Sequence, residues 1–204
     1  MSAGDNEAYW VERHERLSHQ LRAVGDLGST EEENLELYAR KKRRVVSLLR
    51  DLGGVDLKGR EVLDVGCGVG MLAELFDALG AEVSGVDASP VAIEEARHRC
   101  PGGELVVGSL LDFDLGRRFE LAFCVDVLYH VVDDDNWRAA LQNVCRQVRP
   151  GGLVAILDQL KPEPQSPAPH VRFRTREMYA RALSGLGATE ATPPGDGVFL
   201  VYRV

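Results

Sequence analysis

From about residue 55 onward, short apolar runs alternate with stretches of helical spacing. Glu61-Val-Leu-Asp-Val65 is apolar almost throughout, as a strand buried on both faces requires. It breaks into Gly66-Cys-Gly-Val-Gly70, and Met71-Leu-Ala-Glu-Leu-Phe-Asp-Ala-Leu79 then takes up helical spacing. The same reading predicts further strands near 82–86, 104–108, 120–126 and 152–158, and helices near 70–79, 89–99, 135–148 and 175–186. Such alternation implies a parallel sheet with right-handed crossovers, an α/β fold. At the end of the chain, 188–192 and 198–204 flank Pro193-Pro-Gly-Asp-Gly197, the pattern of a hairpin. Seven strands result, the last antiparallel, and the chain stops where that sheet is complete, so no C-terminal substrate domain is expected. The first 50 residues read instead as a helical cap, including a long helix from Glu33 to Leu49, over a core at 51–204.

Strand, glycine-rich turn and helix together let a nucleotide-type ligand approach backbone N–H groups without meeting a Cβ. The next strand, Ala81-Glu-Val-Ser-Gly-Val86, ends in Asp87, about twenty residues on, where a nucleotide fold places a carboxylate for ribose hydroxyls. The dinucleotide fingerprint would need glycine at 71, where Met71 stands. Asp64 just before the turn disfavours a pyrophosphate, because like charges would meet in a confined site. It suits a cationic ligand such as S-adenosylmethionine (SAM), or else it braces the loop by accepting backbone N–H bonds.

Five segments, Asp64-Val-Gly-Cys-Gly-Val-Gly70, Val86-Asp-Ala-Ser-Pro90, Gly108-Ser-Leu-Leu-Asp112, Phe119 to His130 and Val148-Arg-Pro-Gly-Gly152, resemble in order and spacing the motifs of class I SAM-dependent methyltransferases. The resemblance spans roughly residues 45 to 204, and is greatest to small single-domain enzymes that methylate small molecules. It implies a Rossmann-like sheet, SAM as cofactor and S-adenosylhomocysteine (SAH) as product. Carried over residue by residue, it implies cofactor contacts from Asp64, Gly66, Cys67, Gly68, Asp87 and Ala88. Ser109, Leu110, Leu111 and Asp126 complete that set on the core. Ser109 stands where the family usually has an Asp for the adenine amino group, so either Ser109 accepts that bond or Asp112 reaches round.

In an open α/β sheet the ligand lies beyond the carboxyl ends of the strands, where Asp64, Asp87, Ser109, Asp126 and Asp158 fall. The cap around Tyr9, Trp10 and His14 is expected to cross the cofactor mouth, and Lys161-Pro-Glu-Pro-Gln-Ser-Pro-Ala-Pro169 to form a stiff loop opposite. Methyl transfer from a sulfonium is an in-line displacement in which the protein chiefly aligns the acceptor. Tyr9, Trp10 and Tyr38 can face the cation or simply staple the cap to the core. His130 and His170 are the candidate bases, with His14 behind them, while His130 can equally orient a loop. Tyr129, Asp158 and Phe173 join His14 and Tyr38 as candidate substrate contacts. Asp133-Asp-Asp135 reads as a helix N-cap. No metal is expected: Asp126 with Asp158-Gln159 only partly matches the Mg²⁺-dependent members of this fold.

Composition narrows the function without naming it. A net charge of −8 argues against nucleic acid. The basic run Arg40-Lys-Lys-Arg-Arg44 is read as a solvated helix face, from which Arg43 or Arg44 could turn inward to a cofactor carboxylate. Scattered cysteines at 67, 100, 124 and 145 fit reduced thiols. With no signal peptide or apolar span, a cytoplasmic protein, monomer or homodimer, is expected. The leading expectation is methyl transfer to O, N or C of a small molecule, as in secondary metabolism. The alternatives are a SAM-binding enzyme that cyclises or isomerises without methylating, and a regulatory SAM-binding partner subunit.

Overall fold

The computed structural model describes residues 3–194 and 199–204. Five parallel strands run in the order their apolar patterns predict: β1 (Glu61–Val65), β2 (Glu82–Asp87), β3 (Glu104–Val107), β4 (Phe119–Val125) and β5 (Val148–Leu157). Numbering all strands along the chain, β6 (Gln165–Ala168) and β7 (Val171–Phe173) form a separate two-stranded hairpin. β8 (Thr189–Glu190) and β9 (Phe199–Arg203) complete the main sheet, whose order is β3-β2-β1-β4-β5-β9-β8. β9 is antiparallel to both of its neighbours, as the C-terminal pattern predicts; most of the predicted turn lies outside the described residues. The strand order reverses between β1 and β4, so their carboxyl ends open a crevice at that point.

Helices cover both faces. α1 (Ala3–Arg16) and α2 (Glu31–Asp51) precede the sheet, and α3 (Ala73–Ala78), α4 (Pro90–Arg99), α5 (Asp134–Gln147) and α6 (Arg176–Gly185) follow within it. Successive strand residues point to opposite faces. Val62 on β1 and Phe123 on β4 therefore pack with Phe76, Ile93 and the Val45–Leu49 stripe of α2. Leu63, Val65 and Cys124 pack on the other side with Trp137, Leu141, Tyr179 and Leu183. Each such side chain, fully buried, contributes about 1.5–3 kcal/mol.

Three boundaries differ from the sequence reading. α3 begins at Ala73 because Gly70–Leu72 finish the glycine loop. β5 starts at Val148, which pairs with Phe119 across a bulge and draws Arg149–Gly151 into the strand. The segment 161–169 is not simply a stiff loop and does not form the opposite wall: its second half is β6, and the crevice is lined instead by the residues that follow it, His170, Val171 and Phe173.

Local chemistry sets the ends of the cap. Thr30 and Glu33 form a reciprocal capping box at the start of α2. Fully buried Asn34 binds Asp26 N–H at 2.7 Å and the carbonyls of Asp26 and Thr30 at 3.0 Å each, fixing the turn before the helix. Arg13 Nη2 donates to Arg22 O and Gly25 O, both at 2.6 Å, and ties α1 to the same turn.

Candidate cofactor and acceptor site

A cavity of about 510 Å³ lies over the carboxyl ends of β1, β2 and β4, roofed by α1, the 24–27 turn and α2. Its size falls in the roughly 300–1,000 Å³ range of small-molecule sites. The floor is the glycine loop. Gly66 and Gly68 have φ of +68° and +52°. A Cβ on Gly66 would lie 2.3 Å from Val127 Cγ2, and one on Gly68 would lie 2.9 Å from Val24 Cγ1 of the roof. Backbone therefore meets the cavity directly, with no side chain in between.

Two carboxylates stand beside this loop. Asp87 is braced by Gly68 N–H and Ser89 N–H, each donating at 2.9 Å to a different oxygen, which leaves further lone pairs for a ligand. Asp64 is 2% exposed, and its Oδ2 is buried without a partner. Burial, reinforced by the charge of Asp87, pushes its pKa up to about 7, against the backbone N–H of Ala73. An anionic ligand would worsen that repulsion and a cationic one would relieve it. Bracing through the Ala73 N–H takes at most one oxygen and leaves Oδ2 without a partner.

The far wall is built from rings. Trp10 and Tyr129 pack against His130 at centroid distances of 4.4 and 4.2 Å, and Tyr9 stacks on His170 at 4.3 Å. His130 Nδ1–H donates to His170 O at 3.0 Å, which fixes the tautomer and leaves Nε2 with its lone pair. Burial pulls the His130 pKa down to about 3, the bond to His170 only partly opposing it. His170 is lowered as well, by burial and by Arg13, so both rings are neutral.

Lys41 separates the two ends. It is 6% exposed, with Nζ 2.9 Å from Asp126 Oδ2 and 4.5 Å from the Tyr38 ring centre. Burial opposes its charge, but Tyr38 and Asp126 outweigh it and the pKa rises. Asp126 itself is held at φ +55°, a left-handed conformation that Asp tolerates better than most residues.

Most predicted site residues line this one cavity: Asp64, Gly66, Cys67, Gly68, Asp87, Ala88, Leu110, Leu111, Asp126 and Trp10 of the predicted cofactor contacts, and His14, Tyr38, Tyr129, His130, His170 and Phe173 of the others. Three fall outside its lining. Ser109 turns away to Glu7 Oε1 at 2.5 Å and to Leu111 N–H, so Glu7, which does line the cavity, replaces it there; Asp112 is exposed and does not reach round. Tyr9 stands behind His170 instead of in the wall. Asp158 accepts from the Tyr179 hydroxyl beneath the site, and its other oxygen is buried. Asp133 caps α5 as expected. The basic run departs from a solvated face at one position: Arg43 pairs with Glu36, Arg44 is exposed, and Lys41, in place of either arginine, turns inward. The spacing 34, 38, 41, 45, 48 would have placed Lys41 on the buried stripe of α2. Among the described residues, no His/Cys/Asp/Glu group is arranged to hold a metal ion.

Comparison with known proteins gives the same picture. Residues 62–152 match the family model of the methyltransferase domain. The ubiquinone biosynthesis O-methyltransferase of Alkalilimnicola ehrlichii is 40% identical over 122 residues, covering 56% of this chain and 47% of that protein. The mitochondrial enzyme of the same name from Schizosaccharomyces pombe is 36% identical over 105 residues, 48% of this chain and 37% of its own. The chain thus spans less than half the length of these curated relatives. Among solved structures, magnesium protoporphyrin IX methyltransferase from Synechocystis with bound SAM superposes with a TM-score of 0.69 at 18% identity, over 97% of this chain and 95% of that one. A sugar N-methyltransferase from Streptoalloteichus gives 0.66 at 18%, over 81% and 87%. Both likenesses establish the fold. With its motifs folded around one crevice and residues 62–152 matched by sequence, the chain carries a methyltransferase domain in the fold of the SAM-dependent enzymes it resembles.

Proposed function

We propose that this protein transfers the methyl group of SAM to a small-molecule acceptor, with a hydroxyl on an aromatic ring as the acceptor that suits the site best. The observation that carries this reading is the polarity of the cavity: buried carboxylates at one end, neutral histidines among aromatic rings at the other. SAM supplies an activated methyl on a cationic sulfur. Asp64 offers an unmet negative charge to its ammonium, Asp87 offers acceptors to its ribose, and Lys41 offers a donor to its carboxylate. Residues 1–50 act as a cap and 51–204 as the catalytic core.

At the acceptor end, Asp126 is paired with Lys41, and Asp158 lies beneath the cavity wall with one oxygen on Tyr179 and the other buried without a partner, so neither strand-end carboxylate is presented to an ammonium in the cavity. The ring wall favours a planar, uncharged group. His130 is a weak base at a pKa of about 3 and cannot store a proton at neutral pH. It orients the hydroxyl toward Nε2, which serves an acidic acceptor such as a phenol and serves an alcohol poorly. The relatives named for O-methylation support oxygen as the acceptor, and the N-methyltransferase among the structural neighbours supplies the contrasting class.

SAM, SAH and NAD titrated in parallel should give micromolar binding for the first two and none for NAD. SAH release should then follow addition of catechols and not of matched aryl-ethylamines. Release with amines alone would refute oxygen as acceptor, and binding of NAD alone would refute the cofactor. His130→Ala should lower turnover with little change in SAM affinity; equal turnover would return His130 to a purely structural role. The protein is read as acting alone or as a homodimer in the cytoplasm, and no helix among the described residues is long and apolar enough to cross a membrane.

A further inference from the structure

Unpartnered polar atoms are concentrated in one helix. Of the eleven buried side-chain N and O atoms without a hydrogen bond among the described residues, five belong to α1: Asn6 Oδ1, Trp10 Nε1, Arg13 Nε and both ring nitrogens of His14. All four residues line the cavity. A buried polar atom left unsatisfied costs about 1–3 kcal/mol. A helix that collects several of them over a cavity is a surface completed by what the cavity holds.

His14 is the sharpest case. It is 3% exposed, and neither nitrogen meets a protein partner. Its place is fixed from two sides. Arg13 ties the end of α1 to the 22–25 turn, and His19 N–H donates to Glu95 Oε1 on α4 at 2.7 Å. α4 starts just after Asp87, so His14 lies over the β2 end, within the electrostatic reach of the Asp87 carboxylate and of Glu95. Burial nonetheless lowers its pKa, keeping it a neutral ring with one donor and one acceptor.

We propose that His14 is a cofactor-binding residue: with Asp87 below and His14 above, the ribose hydroxyl edge of the cofactor is held between core and cap. This moves His14 from the substrate side, where its place in the cap put it, to the cofactor side. It rests on the reading of SAM as cofactor. The cofactor then fastens α1 over the site, and the acceptor meets a completed wall only after the cofactor is in place.

The test is calorimetric binding of SAH and of its 2′-deoxy and 3′-deoxy analogues to the intact protein and to H14F, which keeps a planar ring, slightly larger, and removes both nitrogens. The wild type should bind SAH about tenfold more tightly than at least one deoxy analogue. H14F should lose about tenfold on SAH and nothing further on that analogue, the coupling that marks a shared hydroxyl. Free H14F should melt no lower than the wild type, because the orphaned nitrogens are gone, while its SAH-induced rise in Tm shrinks. H14Q, which retains a donor and an acceptor, should recover part of the affinity.

Equal loss of all three ligands by H14F would make His14 a packing residue and overturn the proposal. So would unchanged SAH affinity. A wild-type protein that binds neither SAM nor SAH would overturn the cofactor reading itself, an outcome separate from the failure of His14 alone.

Discussion

Asp64 carries the strongest conflict between burial and charge in the site. In the unfolded chain its carboxyl titrates near 4, whereas in the folded protein burial and Asp87 push its pKa up to about 7. Between those values the folded state holds a proton that the unfolded state has lost, so stability falls as pH rises, and the penalty is complete above about 7. Asp64→Asn should therefore stabilise the cofactor-free protein by about 1–3 kcal/mol at pH 8 and be nearly neutral at pH 4, as urea denaturation at the two pH values will show. Cofactor affinity should move the opposite way. A cationic ligand favours the carboxylate, so wild-type affinity for SAM should weaken as pH drops below about 7, and the Asn variant should be weak throughout. A dissociation constant independent of pH in the wild type would remove Asp64 as the counter-charge. Asp87→Ala tests the neighbouring role: charged hydrogen bonds are worth about 1.5–3 kcal/mol each, so SAH binding should fall by about that amount. Unchanged affinity would remove the ribose assignment. Asp64 and Asp87 were legible in the sequence because each lies at the carboxyl end of a strand beside the glycine turn, whose positive-φ positions leave little alternative shape. Ser109 was not, because nothing local announces that Glu7, a hundred residues away, will claim its hydroxyl.

Between elements, the ion pair of Lys41 and Asp126 joins α2 of the cap to the end of β4. Breaking a buried pair costs about 3–5 kcal/mol because one charge is stranded, less here because the Asp126 side chain is 20% exposed. Lys41→Met should thus destabilise the protein by about 1–3 kcal/mol. Adding Asp126→Asn should restore most of that loss, since Asn is neutral and also tolerates a left-handed backbone. A double-mutant cycle in chemical denaturation measures the coupling, and simple additivity would show that the pair does no structural work. This contact escaped the sequence reading for a physical reason. A run of five basic residues looks uniformly solvated, and only the helical stripe from Asn34 to Leu48 separates the inward lysine from its outward neighbours. The hairpin of β6 and β7 escaped for another. Its prolines suggest a stiff loop, yet proline is acceptable in a two-stranded ribbon whose outer edge faces solvent.

For the whole molecule, the parallel sheet was legible because strands buried on both faces leave continuous apolar runs, and the crevice followed from where those strands end. The roof was legible only as a helical segment, since which of its residues face inward depends on how two helices lie across a sheet they are not part of. Hydrogen exchange tests whether roof and cofactor form one unit. At a SAH concentration about a hundredfold above the dissociation constant, the bound protein gains about 2.7 kcal/mol against any opening that releases the ligand. Amides of β4 and β5 exchange only through such global opening and should slow by the full amount. If α1 completes the site, lifting it also releases the ligand, and its amides should slow by the same factor of about a hundred. The exposed strand β8, remote from the cavity, should open locally and exchange as before. Full protection in the sheet with no change in α1 would mean that the cofactor binds beneath a roof that moves independently, and the closed wall around His130 would then have to be assembled by the acceptor instead.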